Sequence, residues 1–150
     1  MSIGKERRLR RIMGGSGPTY VLPLDDALIS GPRGALHDPG KLVDLAVRAG
    51  AASVLGYPGV LRCCSTELGD AGFIQNLTCS TTLSHHVDKV SLNGVEDAVR
   101  NGADGVAVHV NFTAETEPTM LSNLGRVAEE CRQLDFPLLG LHQLFGPIST

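Results

Sequence analysis

The chain has 150 residues, of which 42% are hydrophobic and 4% aromatic, with a formal net charge of −3. That length bounds it to a single domain, and the hydrophobic share can fill a core, which excludes a disordered chain. Weak acidity without a basic stripe argues against nucleic acid as a partner, and no apolar run nears the roughly 20 residues of a membrane span.

Residues 1–18 read as a leading helix over 5–13 and a linker. Leu9, Ile12 and Met13 fall on the inner face of that helix, and Arg7, Arg8, Arg10 and Arg11 on a solvated one. The opening Met1-Ser2-Ile3-Gly4-Lys5 carries no apolar stretch of a secretory signal, so a cytoplasmic location is expected. Gly14-Gly15-Ser16-Gly17-Pro18 is a flexible break without the ending of a phosphate-cradling loop. Thr19 to Leu24 predicts a first strand, and Asp25 to Gly40 a long loop. Asp38 before Pro39 predicts a capped helix start, with Leu42, Leu45, Ala46 and Ala49 on one face. Ala52 to Gly56 is a second strand, 57–72 an irregular stretch, and Gly72 to Leu77 a third strand followed by a Ser/Thr/His loop. His85-His86 in that loop reads as surface. Asn93-Gly94-Val95-Glu96 predicts a boxed helix start and Gly102 its end. Gly105 to Val110 is a fourth strand. A helix with Pro118 in its first turn carries Met120, Leu121, Leu124, Val127, Ala128, Cys131 and Leu134 as its apolar stripe. Pro137 to Leu141 is a fifth strand.

Two segments share one phrase. Val47-Arg48-Ala49-Gly50-Ala51-Ala52-Ser53-Val54-Leu55 returns as Val99-Arg100-Asn101-Gly102-Ala103-Asp104-Gly105-Val106-Ala107. Each reads as a helix closed by glycine and followed by a buried strand. Repeated units of this kind make a parallel sheet with helices outside. The expected fold is α/β, an incomplete TIM (β/α) barrel of about five parallel strands, forming one partial domain over 1–150. A full barrel takes roughly 250 residues, so the chain reads as truncated. Its first and last strands should present free edges, and its concave face should expose Val21, Leu55, Val108 or their neighbours. Self-association through those edges is expected.

Reacting groups of β/α barrels sit at the C-terminal ends of strands. Those ends carry Asp25 and Asp26, Tyr57, Asn76, His109 and Asn111, and His142 and Gln143. Asp25, Asp26, His109 and Gln143 are the candidate catalytic groups, with Asp25 foremost, because adjacent carboxylates and an imidazole can carry protons. Asn76, Asn111 and His142 are the candidate substrate-binding groups. Cys63, Cys64, Cys79 and Cys131 form no CxxC pair, so free thiols, no metal site and no cofactor are expected, with Cys131 as core packing.

The run Val21-Leu22-Pro23-Leu24-Asp25-Asp26, continuing to Ser30-Gly31-Pro32, resembles the first strand of the archaeal-type class I aldolases. That family includes DhnA-type fructose-bisphosphate aldolases and 2-amino-3,7-dideoxy-heptulosonate synthases. The resemblance continues through Lys89-Val90, Val95-Glu96-Asp97-Ala98-Val99, Asn101-Gly102-Ala103-Asp104, Val108-His109-Val110-Asn111 and Asp135-Phe136-Pro137-Leu138-Leu139. It implies a barrel that forms a Schiff base between a lysine and a phosphosugar or oxo-acid substrate. The family's first-strand Asp, which assists proton transfer, falls on Asp25, and the histidine after it is Asp26 here. The family lysine after strand two is replaced around Tyr57-Pro58. Leu141-His142-Gln143-Leu144 stands where the family shows Met-Met-Tyr-Pro, so Gln143 replaces the tyrosine acid. An amide hydrogen-bonds but does not shuttle protons at neutral pH.

The Schiff-base lysine of the family lies on strand six, and none of Lys5, Lys41 and Lys89 reads as lying at a strand's C-terminal end. The chain is therefore expected to be an aldolase-family member that is inactive alone. The alternatives are one piece of an aldolase completed by another chain, a non-catalytic interaction or structural half-barrel, or new chemistry on Asp25, His109 and His142.

Overall fold

The computed structural model describes residues 1–83 and 87–144. Its elements are α1 (Ile3–Met13), β1 (Val21–Pro23), α2 (Asp26–Ser30), a 3-10 turn (Gly34–His37), α3 (Pro39–Arg48) and β2 (Ser53–Gly56). There follow α4 (Pro58–Cys63), α5 (Ser65–Leu68), β3 (Gly72–Asn76), β4 (Thr78–Cys79) and β5 (Val90–Ser91). The chain continues through α6 (Val95–Asn101), β6 (Gly105–Phe112), α7 (Glu117–Gln133) and β7 (Leu138–Leu144). Five strands form one parallel sheet in the order β1-β2-β3-β6-β7, curled into a half-barrel. β4 and β5 make a separate antiparallel ribbon.

The two faces of the sheet bury different clusters. Val54, Phe73, Leu77, Val106, Val108 and Val110 point toward the helices, where Val43, Val95, Ala98, Met120, Val127, Cys131 and Phe136 complete the main core. Leu55, Ile74 and Ala107 point to the concave face, covered at its lower end by Ile12 of α1, with Val21 and Leu141 beside them. This two-residue alternation follows from the pleat.

Helix α1 therefore does more than offer a solvated basic face. It lies across the N-terminal ends of β3 and β6, where two strands open on glycine. A Cβ on Gly72 would stand 2.9 Å from the backbone of Arg11 and Ile12, and one on Gly105 2.9 Å from the Ile12 side chain. Asp104 locks the same corner: one carboxylate oxygen accepts from Phe73 N at 3.0 Å and the other faces Arg11 at 3.3 Å. Arg8 stacks over Phe136. Met13, the last residue of α1, remains 52% exposed, against its expected inward position.

Several expectations give way here. The loop expected over Asp25 to Gly40 contains α2 and the 3-10 turn, and the irregular stretch 57–72 contains α4 and α5. These helices are of four to six residues, shorter than the window over which helical periodicity can be recognised. The Ser/Thr/His loop holds the β4–β5 ribbon, while His85-His86 lies outside the described residues. The apolar stripes are narrower than predicted. Leu45, Ala49, Leu121, Ala128 and Leu134 are exposed, and Val43, Ala46, Met120, Val127 and Cys131 carry the burial. Gly94 rather than Asn93 precedes the first turn of α6, and Asp97 rather than Glu96 accepts from its amide. On the concave side, Leu55 is covered by Ile12, and Val108 faces the helices instead.

The doubled phrase holds as read. Gly102 closes α6 in the left-handed region at φ 86°, and Asp38 caps α3 by accepting from Lys41 N at 3.0 Å.

Candidate active site at the strand C-terminal ends

Parallel strands all end on the same side, so the polar residues that follow them converge. A cleft of about 430 Å³ opens there. Its floor is apolar, made by Val21, Pro23, Leu55, Leu139 and Leu141, and Asp25, His109 and Gln143 supply its polar groups.

A continuous hydrogen-bond network holds these groups. Asn76, at the end of β3, donates from Nδ2 to Asp25 Oδ2 at 2.9 Å. Its Oδ1 accepts twice from Thr78, from the amide at 3.0 Å and from Oγ1 at 3.1 Å. Two donors on Oδ1 fix which way the amide faces, so the NH₂ must turn to the carboxylate. Thr78 Oγ1 in turn accepts from His109 N at 3.0 Å, and the Thr78 carbonyl accepts from the Tyr57 hydroxyl at 3.0 Å. Residues that follow β1 and β2, end β3 and lie within β6 are thus tied through one threonine.

The network sets protonation states. Burial lowers the His109 pKa below the ordinary histidine value, and the Lys89 and His142 charges push the same way against the pull of Asp25. The imidazole is neutral at neutral pH and available as a proton acceptor. Burial raises the Tyr57 pKa, and Asp25 adds to it, so the phenol stays protonated as a donor.

The predicted site residues divide. Asp25, Asn76, His109 and Gln143 come together at the cleft or its supporting network. Asp26 begins α2 and is exposed. Asn111 is fully buried on the same side of β6 as His109, with its Nδ2 donating to the Val87 carbonyl and its Oδ1 without a partner among the described residues. His142 touches the rim of the cleft, but its ring packs on the helix side, stacked on Phe112 at 5.1 Å between centroids. The register explains this: Val110 pairs with His142, and Asn111 with Gln143. Adjacent strand residues cannot both face the cleft.

Three contributors were missed by sequence reasoning. Thr78 was legible in principle, two residues beyond Asn76 and so on the same face. Ser80 and Lys89 were not, because only the β4–β5 ribbon brings residue 89 back over the barrel mouth. The Lys89 ammonium donates to Ser80 Oγ at 2.8 Å. Burial lowers its pKa against the opposing pull of Asp25, Cys79 and Asp26. Lys89 ends no strand: it directly precedes β5. Among the described residues, no group of three His, Cys, Asp or Glu side chains is placed to hold a metal ion, and no helix is long and apolar enough to cross a membrane.

Comparison with known proteins agrees with this architecture. The chain is 35% identical over 145 residues to 2-amino-3,7-dideoxy-D-threo-hept-6-ulosonate synthase of Halobacterium salinarum, covering 96% of this chain and 54% of that protein. It is 31% identical over 132 residues to 2-amino-4,5-dihydroxy-6-oxo-7-(phosphonooxy)heptanoate synthase of Streptomyces griseus, covering 85% and 47%. The chain thus spans about half the length of the curated relatives it matches. Its fold superposes on a Schiff-base-forming fructose-1,6-bisphosphate aldolase with a TM-score of 0.80 at 24% identity, covering 97% of this chain and 60% of the other. A fructose-bisphosphate aldolase from Slackia heliotrinireducens gives 0.81 at 15% identity, covering 95% and 50%. The family model described as DeoC/LacD family aldolase matches residues 19–141, and the chain belongs to that family.

Proposed function

We propose that this chain contributes the strand-one-to-five part of a class I aldolase site for phosphosugar or oxo-acid carbonyl compounds. The observation that carries the reading is the Asp25–Asn76–Thr78–His109 network at the mouth of an apolar-floored cleft. Aldol chemistry needs a proton removed from, and returned to, groups next to a carbonyl. Asp25 is a carboxylate oriented by an amide, and His109 a neutral imidazole lining the same cleft. Together they offer two proton acceptors over a floor that excludes water. Gln143 hydrogen-bonds a substrate oxygen without titrating. No resident cofactor enters this reading. The four thiols are free among the described residues, in keeping with a reducing compartment such as the cytoplasm.

The test is titration of the isotopically labelled chain with fructose 1,6-bisphosphate and with dihydroxyacetone phosphate, following the His109 ring resonances. A saturable shift at millimolar ligand, weakened at least tenfold by Asp25→Ala (~1.4 kcal/mol), supports the reading. Ring resonances that ignore both ligands overturn it.

A second reading is supported by the sheet edges. Among the described residues β1 and β7 each have one strand neighbour, and Leu139 and Leu144 of β7 are 37% and 60% exposed. Edge pairing with a second copy, or with a chain supplying further β/α units, would cover them and make the half-barrel an interaction module. Sedimentation at micromolar concentration distinguishes the two, a concentration-independent monomer counting against this second reading.

A further inference from the structure

Helix α1 carries Lys5, Arg7, Arg8, Arg10 and Arg11 against the lone carboxylate of Glu6, on a chain whose net charge is −3. Lys5 faces Asp135 at 3.6 Å, Arg10 pairs with Glu6, and Arg11 faces Asp104 at 3.3 Å. Arg7 and Arg8 meet no carboxylate or hydrogen-bond acceptor among the described residues, and Arg8 only lays its guanidinium over the Phe136 ring, 5.0 Å from the centroid. Arg7, Arg8 and Arg11 line one groove of about 320 Å³ between α1 and the turn that closes α6, with Asp104 as the carboxylate in its lining. We propose that this groove binds a small anion carrying two linked phosphoryl groups, at the end of the sheet opposite the Asp25–His109 cleft.

The spacing selects the ligand. Residues three and four apart share a helix face, and like charges there repel, so Arg7, Arg8 and Arg11 together lack negative charge until an anion enters. Asp104 does not make up the deficit. It is 4% exposed, with one oxygen accepting from Phe73 N at 3.0 Å and the other facing Arg11. A guanidinium grips phosphoryl oxygens through a planar fork of N–H donors and is more weakly hydrated than an ammonium. Arg7 and Arg11 stand about 6 Å apart along the axis at roughly 1.5 Å per residue, a distance that two linked phosphoryl groups span and one does not. Stacking on Phe136 occupies a face of the Arg8 guanidinium and leaves its N–H edge free to donate. Two glycines keep the groove open. A Cβ on Gly4 would stand 3.0 Å from Arg8 Nη1, and Gly102 closes α6 with no side chain over the groove. The volume falls in the range of small-molecule sites, about 300–1,000 Å³, which favours a small anion over a protein segment.

The experiment titrates the 150-residue chain calorimetrically with inorganic pyrophosphate at about 0.15 M ionic strength, where a diffuse ion atmosphere is screened. The expected result is saturation of one site, tighter than for sulfate by roughly tenfold or more. Arg7→Gln removes an exposed side chain without a partner among the described residues, and should weaken binding by roughly tenfold or more. Arg10→Gln changes a cation already held by Glu6 and outside the groove, and should keep the parent affinity. In the isotopically labelled chain the amide resonances of Gly4, Gly102 and Ala103 should move with pyrophosphate while the His109 ring stays still. Pyrophosphate no tighter than sulfate, an unchanged affinity in Arg7→Gln, or an equal loss in Arg7→Gln and Arg10→Gln overturns the proposal. A His109 shift that tracks the titration also overturns it, by putting the anion in the cleft. A polyglutamate peptide that binds more tightly than pyrophosphate does the same, by making the groove a protein-docking surface.

Discussion

Replacing Thr78 with valine removes one hydroxyl and keeps the shape of the side chain. The β3–β6 ladder ends where Asn76 pairs with Ala107, so the amide of His109 lies beyond the last strand partner on that side. Thr78 Oγ1 takes the place of a strand carbonyl for it, at 3.0 Å, and donates its own proton to Asn76 Oδ1 at 3.1 Å. Thr78 is only 2% exposed, so water cannot readily replace the hydroxyl. Leaving a buried donor unsatisfied costs about 1–3 kcal/mol. The methyl that replaces the hydroxyl offsets roughly 0.8 kcal/mol of that. Thr78→Val should therefore destabilise by about 0.2–2 kcal/mol net in urea unfolding, with an unchanged m value. Amide exchange gives the sharper readout: His109 N–H should lose protection in the valine variant and keep it in Thr78→Ser. A valine variant as stable as the parent, with its His109 amide still protected, would refute the assignment of Thr78 as the centre of the network.

The docking of α1 predicts a contrast between two glycines. Gly72→Ala should destabilise by about 1–3 kcal/mol through overpacking, because its Cβ would meet unyielding backbone at 2.9 Å, and proteolysis within α1 should accelerate. Gly125→Ala, in the middle of α7 with nothing within 4 Å of the added carbon, should stabilise by about 1 kcal/mol; both are read by thermal unfolding. His109 predicts an acid limb to stability. Its folded pKa lies below the unfolded value near 6.5, so the unfolded chain binds more protons, and stability is full above about pH 6.5 and falls as the pH drops toward the folded pKa. Unfolding curves across that window should flatten in His109→Gln, and an unchanged slope would show that another group titrates there.

Much of the fold was legible because long elements announce themselves. The seventeen residues of α7, the glycine-closed α6 and the apolar strands carry period and punctuation together. The five-strand order followed from the repeated helix–glycine–strand phrase, since β/α units of one hand lay parallel strands side by side. The width of the apolar stripes was not legible. A helix on the outside of a half-barrel buries only the line that meets the sheet, so Leu45, Leu121 and Leu134 sit on the flanks although their spacing fits the stripe.

The site shows the same division at the scale of single residues. Asp25, His109 and Gln143 were readable because Asp25 follows β1, while His109 and Gln143 lie in the C-terminal halves of β6 and β7, and the C-terminal parts of parallel strands share one side of the sheet. His142 reaches only the rim of the cleft, by a parity that sequence alone does not give. Once β7 pairs Gln143 with Asn111, its neighbour must turn to the helices, and there His142 meets Phe112. Lys89 is the opposite case. It belongs to no strand of the main sheet, and Thr78–Cys79 pairing with Val90–Ser91 is what folds it back over the mouth. Two pairs of residues in a short ribbon leave almost no trace in composition or period. Yet that ribbon brings an amine to Ser80, and through Thr78 its other strand ties β3 to β6. The chemistry available to this half-barrel therefore depends as much on the least legible segment as on the strands that announce the fold.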